Sequence, residues 1–311
     1  MKILVFIQVD DNQINRMSLE TLACAQNVSN DVSVITFNNQ AANELVKYQL
    51  NEVLLVNHED LNSYNPLRYA KVLEQMIDKY DGFLFAHTYE TRDWVPRLSA
   101  RLDLPFISDC IDLKLDNESV IVTRQSYQGK INNDLKINTK SFISIQSGCF
   151  KSDAINLGSS TISNLDVDLG DIPNTITAEE KFKEQKGGVD LAAADLIVSV
   201  GRGIAKEENI PMAEELSDLL NAEVGSSRPI VDYGWLSHDR QIGSSGQVVS
   251  PKLYFSLGVS GAIQHQVGMK GSDKIIAINK DSNAPIFEIA DYAIVGDLLE
   301  IVPKLINKLK E

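Results

Sequence analysis

The sequence has few of the residues that mark metal or disulfide chemistry. It contains 3 cysteines and 4 histidines in 311 residues. The cysteines, Cys24, Cys110 and Cys149, are odd in number and far apart, with no spacing typical of a zinc or redox site. The histidines are equally scattered. The sequence therefore predicts buried thiols in a reducing compartment and no bound metal.

Basic charge is also scarce. Lysine and arginine total 29 against 43 aspartate and glutamate residues, which gives a net charge of −14. Without a basic stripe, a polyanion would be repelled at long range, so nucleic acid is not expected as a partner. The acidic excess is most simply a solvated surface.

Long apolar runs are missing as well. No stretch approaches the roughly 18 apolar residues of a membrane span, so no membrane insertion is expected. The first apolar run, residues 2–9, is short and is followed at once by Asp10 and Asp11, which does not fit a signal peptide. The default prediction is a cytoplasmic globular protein, and the length is comfortable for two domains.

What the sequence does contain is an alternation of short apolar runs with helical patterns, typical of parallel strands joined by helices. The predicted strands are residues 2–9, 31–37, 52–56, 82–88, 119–125, 141–148, 194–203, 228–234, 253–261, 274–280 and 292–297. Of these, 119–125 and 141–148 flank a polar, turn-rich stretch and are expected at the edge of their sheet. The predicted helices are residues 67–80, 94–101, 212–222 and 298–310, with Asp93 capping the second and Pro303 kinking or interrupting the last.

A charged run at residues 179–188 ends in a glycine pair and is the best linker in the chain. We place a domain boundary near residue 186, which gives an N-terminal domain of residues 1–186 and a C-terminal domain of residues 187–311. The predicted fold class is α/β, with two domains that each contain a mainly parallel sheet flanked by helices.

The strongest local feature is a glycine turn after the predicted strand 253–261. The strand runs directly into Gly258 and Gly261, where small residues let a cofactor approach the backbone and free amides can hold a pyrophosphate. The spacing is not the usual dinucleotide fingerprint, so a plain strand-to-helix turn stays open as an alternative. His265 follows within about one helical turn, where it is either an ordinary core histidine or a donor to a bound ring.

Further polar groups stand at strand ends or in a small-residue loop. Arg202 and Arg228 each lie beside small residues, as phosphate-binding arginines do, although surface salt bridges are the alternative for both. The segment 241–247 offers two hydroxyls between glycines, or is a plain turn. No nucleophile, base and orienting acid occur at recognisable positions, so no catalytic residue is predicted.

Taken in order, these segments resemble the FAD-binding domain of electron-transfer flavoprotein alpha subunits. The resemblance covers VGRGI, GSSRPIVDYGW, QIGSSG, GVSGAIQH, AINKD and APIFEIADYAIVGDL, at residues 200–204, 225–235, 241–246, 258–265, 277–281 and 284–298. Six ordered motifs are more specific than any single glycine pattern. A weaker match, TRDWVPRLSARLDLPFISDC at residues 91–110, extends it into the N-terminal half.

The resemblance implies a Rossmann-like C-terminal domain that binds FAD and a nucleotide-binding-like N-terminal domain that contacts a beta subunit. It implies that Arg228 lies by the flavin ring, His265 donates toward the flavin O2 edge and Ser245 offers its hydroxyl to N5. The pyrophosphate and ribityl chain would be lined by Ser260, Gly261, Ala262, Ile263 and Gln264. The phosphate and adenosine portions would be held by Arg202, Ser227, Asn279, Asp297 and Leu298, while Ile242, Gly243 and Ser244 would complete the ring loop.

One departure from the family pattern falls in that loop. The family commonly has GQTG where this chain has Gly243-Ser244-Ser245-Gly246. Serine in place of threonine keeps the hydroxyl with a freer rotamer. Serine in place of glutamine shortens a side chain near the ring. The resemblance implies that FAD binding survives these changes and that the redox potential is what they alter.

The function implied is electron carriage as the alpha subunit of a heterodimer. FAD would pass electrons from a donor dehydrogenase or NADH-oxidising partner to an acyl-CoA dehydrogenase-type or quinone-linked acceptor, by transient docking. A flavin-based bifurcating complex with a second FAD on the beta subunit stays open. A stand-alone NAD-binding enzyme is the alternative from another class, and it would need a catalytic acid or base that the sequence does not offer.

Overall fold

The computed structural model describes residues 1–116, 119–127, 129–138, 140–172 and 189–310. These residues fall into two compact units, and the division between them lies after residue 172 and before residue 189. The predicted boundary near residue 186 lies outside the described residues and stays a prediction. Within the described part of the chain, no helix is long and apolar enough to cross a membrane.

In the first unit, the apolar runs form strands because their side chains are buried on both faces of one sheet. Its strands are β1 Ile3–Phe6, β2 Val9–Asp10, β3 Gln13–Ile14, β4 Val32–Thr36, β5 Val53–Leu55, β6 Gly82–Ala86, β7 Phe106–Asp116, β8 Ser119–Ser126, β9 Ile131–Ile137, β10 Ser141–Ile145 and β11 Ile162–Asn164. Its helices are α1 Arg16–Val28, α2 Asn39–Leu45, α3 Pro66–Glu74 and α4 Tyr89–Leu102.

Nine of these strands, counted among the described residues, form a sheet in the order β11-β5-β4-β1-β6-β10-β7-β8-β9. The pairs from β11 to β7 are parallel, and β7, β8 and β9 are antiparallel. One buried cluster lies against α1 and α2, and another against α3 and α4, so both faces are covered. A mainly parallel, helix-flanked sheet was predicted and is confirmed.

Three expectations in this unit are wrong. Neither 119–125 nor 141–148 is an edge strand, because β8 pairs with β7 and β9 on its two sides and β10 is fully buried between β6 and β7. The edge strand on that side of the sheet is β9, in the stretch expected to be a turn; its side chains are exposed or half-buried, so it carries no apolar signal. The second predicted helix begins at Tyr89 rather than after Asp93, because the Thr88 side chain accepts a hydrogen bond from the Thr91 amide and caps it.

The second unit alternates strand and helix along the chain. Its strands are β12 Leu196–Val200, β13 Glu223–Ser226, β14 Leu253–Leu257, β15 Ile275–Asn279 and β16 Tyr292–Val295. Its helices are α5 Ile210–Leu220, α6 Arg228–Asp232, α7 Ile263–Val267 and α8 Leu298–Leu309. The helix α8 continues through Pro303, so the proline does not interrupt it.

The five strands form an all-parallel sheet in the order β13-β12-β14-β15-β16. The chain first moves from β12 outward to β13 and then returns to the other side of β12 with β14. The strand order therefore reverses between β12 and β14. In an open parallel sheet, the loops that leave the carboxyl ends on either side of such a reversal diverge and open a crevice.

The predicted strand at 228–234 is wrong. Those residues begin with α6, and Pro229 in its first turn favours a helix start. The strand is the preceding segment, β13, which sequence reasoning missed because its glycine and serine lack strand propensity. Gly225 is needed there for packing: a Cβ would lie 2.4 Å from Cδ1 of Ile242.

Candidate functional site

All of the predicted binding residues lie at the carboxyl edge of the second sheet. Arg202 follows β12, Ser227 and Arg228 follow β13, residues 260–265 follow β14, and Asn279 ends β15. Asp297 and Leu298 come directly after β16, and the loop 241–247 joins the same edge through a bridge between Ser226 and Gln241. Residues distant in the sequence are therefore gathered on one side of one sheet.

The two loops that flank the strand reversal are pressed together through glycines. The Gly203 amide donates to the Gly258 carbonyl at 2.9 Å, and the Gly201 amide donates to Leu257 at 2.8 Å. A Cβ on Gly201 would lie 2.4 Å from Cα of Val259, and one on Gly203 would lie 2.7 Å from Cα of Gly258. Only glycine allows this approach, so the two loops are in direct backbone contact where the strand order reverses.

The turn after β14 contains backbone amides that donate no hydrogen bond within the described residues. Gly261 adopts φ +79°, and a Cβ there would lie 2.3 Å from the amide nitrogen of Ile286. The Ser260 carbonyl accepts from that same amide at 3.1 Å, which anchors the turn. In the described part of the chain, the amides of Ser260, Gly261 and Ala262 have no hydrogen-bond partner. The side chains of Ser260, Ala262 and Gln264 are exposed.

The loop 241–247 packs closely on α7. The Ser244 amide donates to the Gln264 carbonyl at 2.8 Å, and Gly243 adopts φ +142°. A Cβ on Gly268 would lie 2.4 Å from the Gly243 nitrogen, so that position also requires a small residue. Ile242 is buried beneath the loop, while the side chains of Ser244 and Ser245 are exposed. The loop is thus rigidly placed and presents its hydroxyls outward.

The two arginines are exposed on this edge. Arg228 forms an ion pair with Asp232 at 3.4 Å, and the two side chains are 69% and 58% exposed. Such an exposed pair contributes little to stability, so Arg228 is free to be recruited by an anion. Arg202 is exposed, and no carboxylate in the described residues pairs with it. Ser227 occupies the position before α6 without its side chain capping the helix, which leaves its hydroxyl available.

At the far side of the edge, Asn279 and Asp297 hold the backbone in place. The Asn279 side chain donates to the Val259 carbonyl at 2.9 Å and accepts from the Asp281 amide at 3.0 Å. Asp297 caps α8 and pairs with Lys280 at 2.8 Å, and this pairing lowers the pKa of the Asp297 carboxyl. Leu298 is buried against Gly258, so its side chain serves packing.

His265 is a buried, neutral residue. Its Nε2 atom lies 2.7 Å from the hydroxyl of Tyr254, which is itself buried. Burial lowers the pKa of His265 to about 4, and the backbone of Ile242 opposes the shift. Its Nδ1 atom is buried without a hydrogen bond of normal geometry in the described residues. Any role of this ring is therefore as a neutral hydrogen-bonding group.

Two residues of the site were missed by sequence reasoning. Tyr254 lies inside a strand and reads as ordinary core, and nothing in its spacing points to His265. Gln241 precedes the glycine-serine loop; its side chain is 4% exposed and donates to Ser245. A buried glutamine in a loop is unusual enough to be noticed, but the sequence alone does not reveal its burial.

Comparison with known proteins adds a family to this geometry. The model described as electron transfer flavoprotein domain matches residues 3–169, and that described as electron transfer flavoprotein FAD-binding domain matches residues 190–270. The electron transfer flavoprotein subunit alpha of Bacillus subtilis (strain 168) is 37% identical over 319 residues, covering 100% of this chain and 98% of that protein.

Two further relatives belong to named enzyme systems. The acryloyl-CoA reductase electron transfer subunit beta of Anaerotignum propionicum is 35% identical over 307 residues, covering 88% of this chain and 83% of that protein. Subunit LctC of the lactate dehydrogenase (NAD(+),ferredoxin) of Acetobacterium woodii is 34% identical over 277 residues, covering 87% and 66%.

Fold and site together define a two-unit α/β protein whose second sheet has a strand reversal, with polar side chains and unpartnered amides at its carboxyl edge. With these matches, the chain belongs to the electron-transfer flavoprotein alpha subunit family and carries its FAD-binding domain.

The residues present fit FAD. Gly201, Gly203 and Gly258 bring the loops after β12 and β14 into backbone contact at the strand reversal, since a Cβ on any of them would clash with a neighbouring loop or with Leu298. Unpartnered amides in the turn 260–262 suit a pyrophosphate, and the buried Nδ1 of His265 lacks a partner that a ligand can supply.

Proposed function

We propose that this chain is the alpha subunit of a heterodimeric electron-transfer flavoprotein. It carries electrons on FAD from a donor dehydrogenase or an NADH-oxidising partner to an acyl-CoA dehydrogenase-type or quinone-linked acceptor. The observation that carries the proposal is the strand reversal between β12 and β14, where glycines bring two loops together, because it lies within the matched FAD-binding domain and every predicted binding residue lies at the same sheet edge. FAD supplies the redox chemistry when it is bound, and the chain supplies binding and tuning.

The crevice divides naturally among the parts of the cofactor. We assign the pyrophosphate and ribityl chain to the turn with free amides: Ser260, Gly261, Ala262, Ile263 and Gln264. The phosphate and adenosine portions are assigned to the residues at the ends of β12, β13, β15 and β16: Arg202, Ser227, Asn279, Asp297 and Leu298. Asp297 contributes its backbone rather than its carboxylate, since that carboxylate is committed to Lys280 and to the start of α8.

The ring is assigned to the loop 241–247, to Arg228 and to His265. These residues are Ile242, Gly243, Ser244, Ser245, Arg228 and His265. A guanidinium beside the ring favours its anionic reduced forms. His265 contributes as a neutral donor whose charge does not change near pH 7, because its pKa lies at about 4.

The partner in this proposal is an electron-transfer flavoprotein beta subunit. Of the groups assigned to the ring, Arg228, Ser244 and Ser245 are exposed in this chain, whereas Ile242, Gly243 and His265 are buried. A ring that rests on the exposed groups would keep its other face in water, and a partner surface over that face completes the site. FAD retention should therefore depend on the beta subunit.

The experiment is to purify the chain alone and together with an electron-transfer flavoprotein beta subunit from the same organism, and to count FAD per alpha chain in each. We expect close to one FAD on the alpha chain of the heterodimer and substantial loss from the isolated chain. Equal, tight retention by the isolated chain would remove the shared site. A colourless heterodimer that cannot be reconstituted with FAD would remove the proposed function itself.

A second candidate is the alpha subunit of a flavin-based electron-bifurcating complex. It is favoured by similarity to LctC, whose name includes both NAD(+) and ferredoxin, and to the acryloyl-CoA reductase subunit. The two functions differ in the flavin count of the whole complex. A second FAD on the beta subunit, together with bleaching of the flavins by NADH, would support bifurcation; one FAD without a response to NADH would support the simple carrier.

A further inference from the structure

The Gln241 side chain is buried beneath the loop that presents Ser244 and Ser245. Its Nε2 atom donates to the Ser245 carbonyl at 3.1 Å and to the Ser245 Oγ at 3.0 Å. A backbone carbonyl only accepts, so the amide nitrogen, and not the amide oxygen, must face the serine. The hydrogen-bond direction is fixed by this pair.

The Ser245 hydroxyl therefore acts as an acceptor toward Gln241. Its own proton cannot point back at the amide nitrogen and must point away from it. Because the Ser245 side chain is exposed while Gln241 is 4% exposed, that direction is the open side of the loop. The contact with Gln241 therefore leaves the Ser245 hydroxyl as a donor that points outward from the loop.

The backbone of Gln241 is held on both sides. Its amide donates to the His238 carbonyl at 3.0 Å, and its carbonyl accepts from the Gln247 amide at 2.8 Å. A Cβ on Gly246 would lie 2.3 Å from that carbonyl oxygen, so the loop closes tightly over it. The side-chain amide of Gln241 is consequently positioned before any ligand binds.

We propose that Gln241 is a positioning residue that orients the Ser245 hydroxyl as a hydrogen-bond donor to the flavin ring. The inference rests on the proposed function and deepens it, since the resemblance assigns the donor role to Ser245 alone. It also gives a physical account of serine at a position where the family commonly has threonine. Threonine restricts its hydroxyl through its methyl group, whereas here a buried amide restricts it.

The test uses the FAD-loaded heterodimer and the Gln241→Met variant, which keeps side-chain length and removes the donor. A neutral hydrogen bond accounts for a factor of about threefold to tenfold in an equilibrium constant. The ratio of affinities for reduced and oxidised FAD should fall by that factor, which lowers the one-electron potential by about 30–60 mV. The ¹⁵N resonance of flavin N5, which reports hydrogen bonding at that atom, should shift in the same variant.

Gln247→Met is the matched control. Gln247 lies in the same loop, but its side chain donates to the carbonyls of Val189 and Asp239 and not to Ser245. It should leave the potential and the N5 resonance unchanged. An equal shift in both variants would mean that general loosening of the loop, and not orientation of Ser245, is responsible.

A double-mutant cycle isolates the pair. In the Ser245→Ala background, Gln241→Met should cause no further change in the potential. Persistence of the full shift without the hydroxyl would overturn the proposal.

Should Gln241→Met fail to fold, Ser245→Thr in the otherwise unchanged chain tests the same proposal. If Gln241 already fixes the orientation of the hydroxyl, the N5 resonance should not change in Ser245→Thr, and a large displacement would overturn the proposal. A wild-type heterodimer without FAD would instead overturn the proposed function.

Discussion

At the scale of single residues, His265 shows how burial sets chemical state. The ring is 6% exposed and bonded to Tyr254, and its pKa is lowered from 6.5 to about 4, mainly by burial. Because the unfolded chain binds this proton first as the pH falls, the neutral ring contributes its full stabilisation above about pH 6.5. That stabilisation is lost as the pH decreases from about 6.5 to about 4.

We predict that His265→Asn flattens the pH dependence of stability in this window. Each pKa unit corresponds to about 1.4 kcal/mol, so the free energy of unfolding of the wild type should change by roughly 3 kcal/mol more than that of the variant. Denaturant unfolding at intervals between pH 4 and 7 measures it. His238→Asn, which removes an exposed histidine, should keep the wild-type slope. If the free energy of unfolding depends on pH in the same way in wild type and His265→Asn, the ring is not held neutral.

Arg228 is the residue whose charge should matter most for the flavin. We predict that Arg228→Ala lowers the reduction potential of the FAD-loaded heterodimer. A charge roughly 4 Å away contributes about 1 kcal/mol in water and about 4 kcal/mol at an effective dielectric constant of about 20. The one-electron shift should therefore lie between about 40 and 170 mV, depending on how far the partner excludes water.

Potentiometric titration of Arg228→Ala, Arg228→Lys and Asp232→Asn checks this. Lysine should recover part of the effect, because it keeps the charge and loses the planar guanidinium. Asp232→Asn removes the ion-pair partner while leaving the arginine, so the potential should not fall. An unchanged potential in Arg228→Ala would place this residue away from the ring.

The environment of a residue was predictable where its own sequence pattern indicates it. It was not predictable where it depends on a contact that only the fold creates. Thiol burial was expected from the scattered cysteines. Cys24 and Cys110 are buried, and burial raises the pKa of Cys110 to about 12, whereas Cys149 is only half-buried. The pairs Tyr254–His265 and Gln241–Ser245 were missed because they depend on a strand, a turn and a short helix folding back on one another.

At the scale of elements, the strands buried on both faces were the predictable ones. A run such as residues 82–88 reads as a strand because residues 83–86 are all apolar, and β6 lies there. Strand β9 was missed because its side chains are exposed and therefore show no apolar pattern. Strand β13 was missed because it contains Gly225, which is required for packing but has low strand propensity. The segment after β13 was misread because its apolar residues outweighed the helix-starting proline.

The site depends most on the close backbone contact between the loops that follow β12 and β14. We predict that Gly258→Ala destabilises the chain and lowers its FAD content. Gly258 has φ +65°, and a Cβ would lie 2.7 Å from Cα of Gly203 and 2.8 Å from Cδ2 of Leu298. Backbone strain of about 1–2 kcal/mol adds to overpacking of about 1–3 kcal/mol.

Gly234→Ala is the matched control for this prediction. Gly234 also has a positive φ, +74°, but a Cβ there meets nothing within 4 Å. The Gly234→Ala variant should lose stability only through backbone strain and should keep its FAD content. Denaturant unfolding and flavin absorbance on both variants measure the difference, and equal losses would mean that the close approach of the two loops is unimportant.

At the scale of the whole molecule, two α/β units share a chain whose net charge is −14. Fold class, family and cofactor were predictable because several ordered motifs mark them together. The partner and the direction of electron flow are not written in this chain, because half of the flavin environment in our proposal belongs to another subunit. The position of FAD within this chain is the central claim.

Hydrogen–deuterium exchange of the heterodimer with and without FAD tests that claim most directly. The unpartnered amides at Ser260, Gly261 and Ala262 exchange readily unless a ligand covers them, so FAD should slow exchange there and at the ends of β12 and β13. The exposed edge strand β9 in the first unit should exchange at the same rate in both states. FAD-dependent protection confined to the first unit, with none in the turn 260–262, would contradict the account.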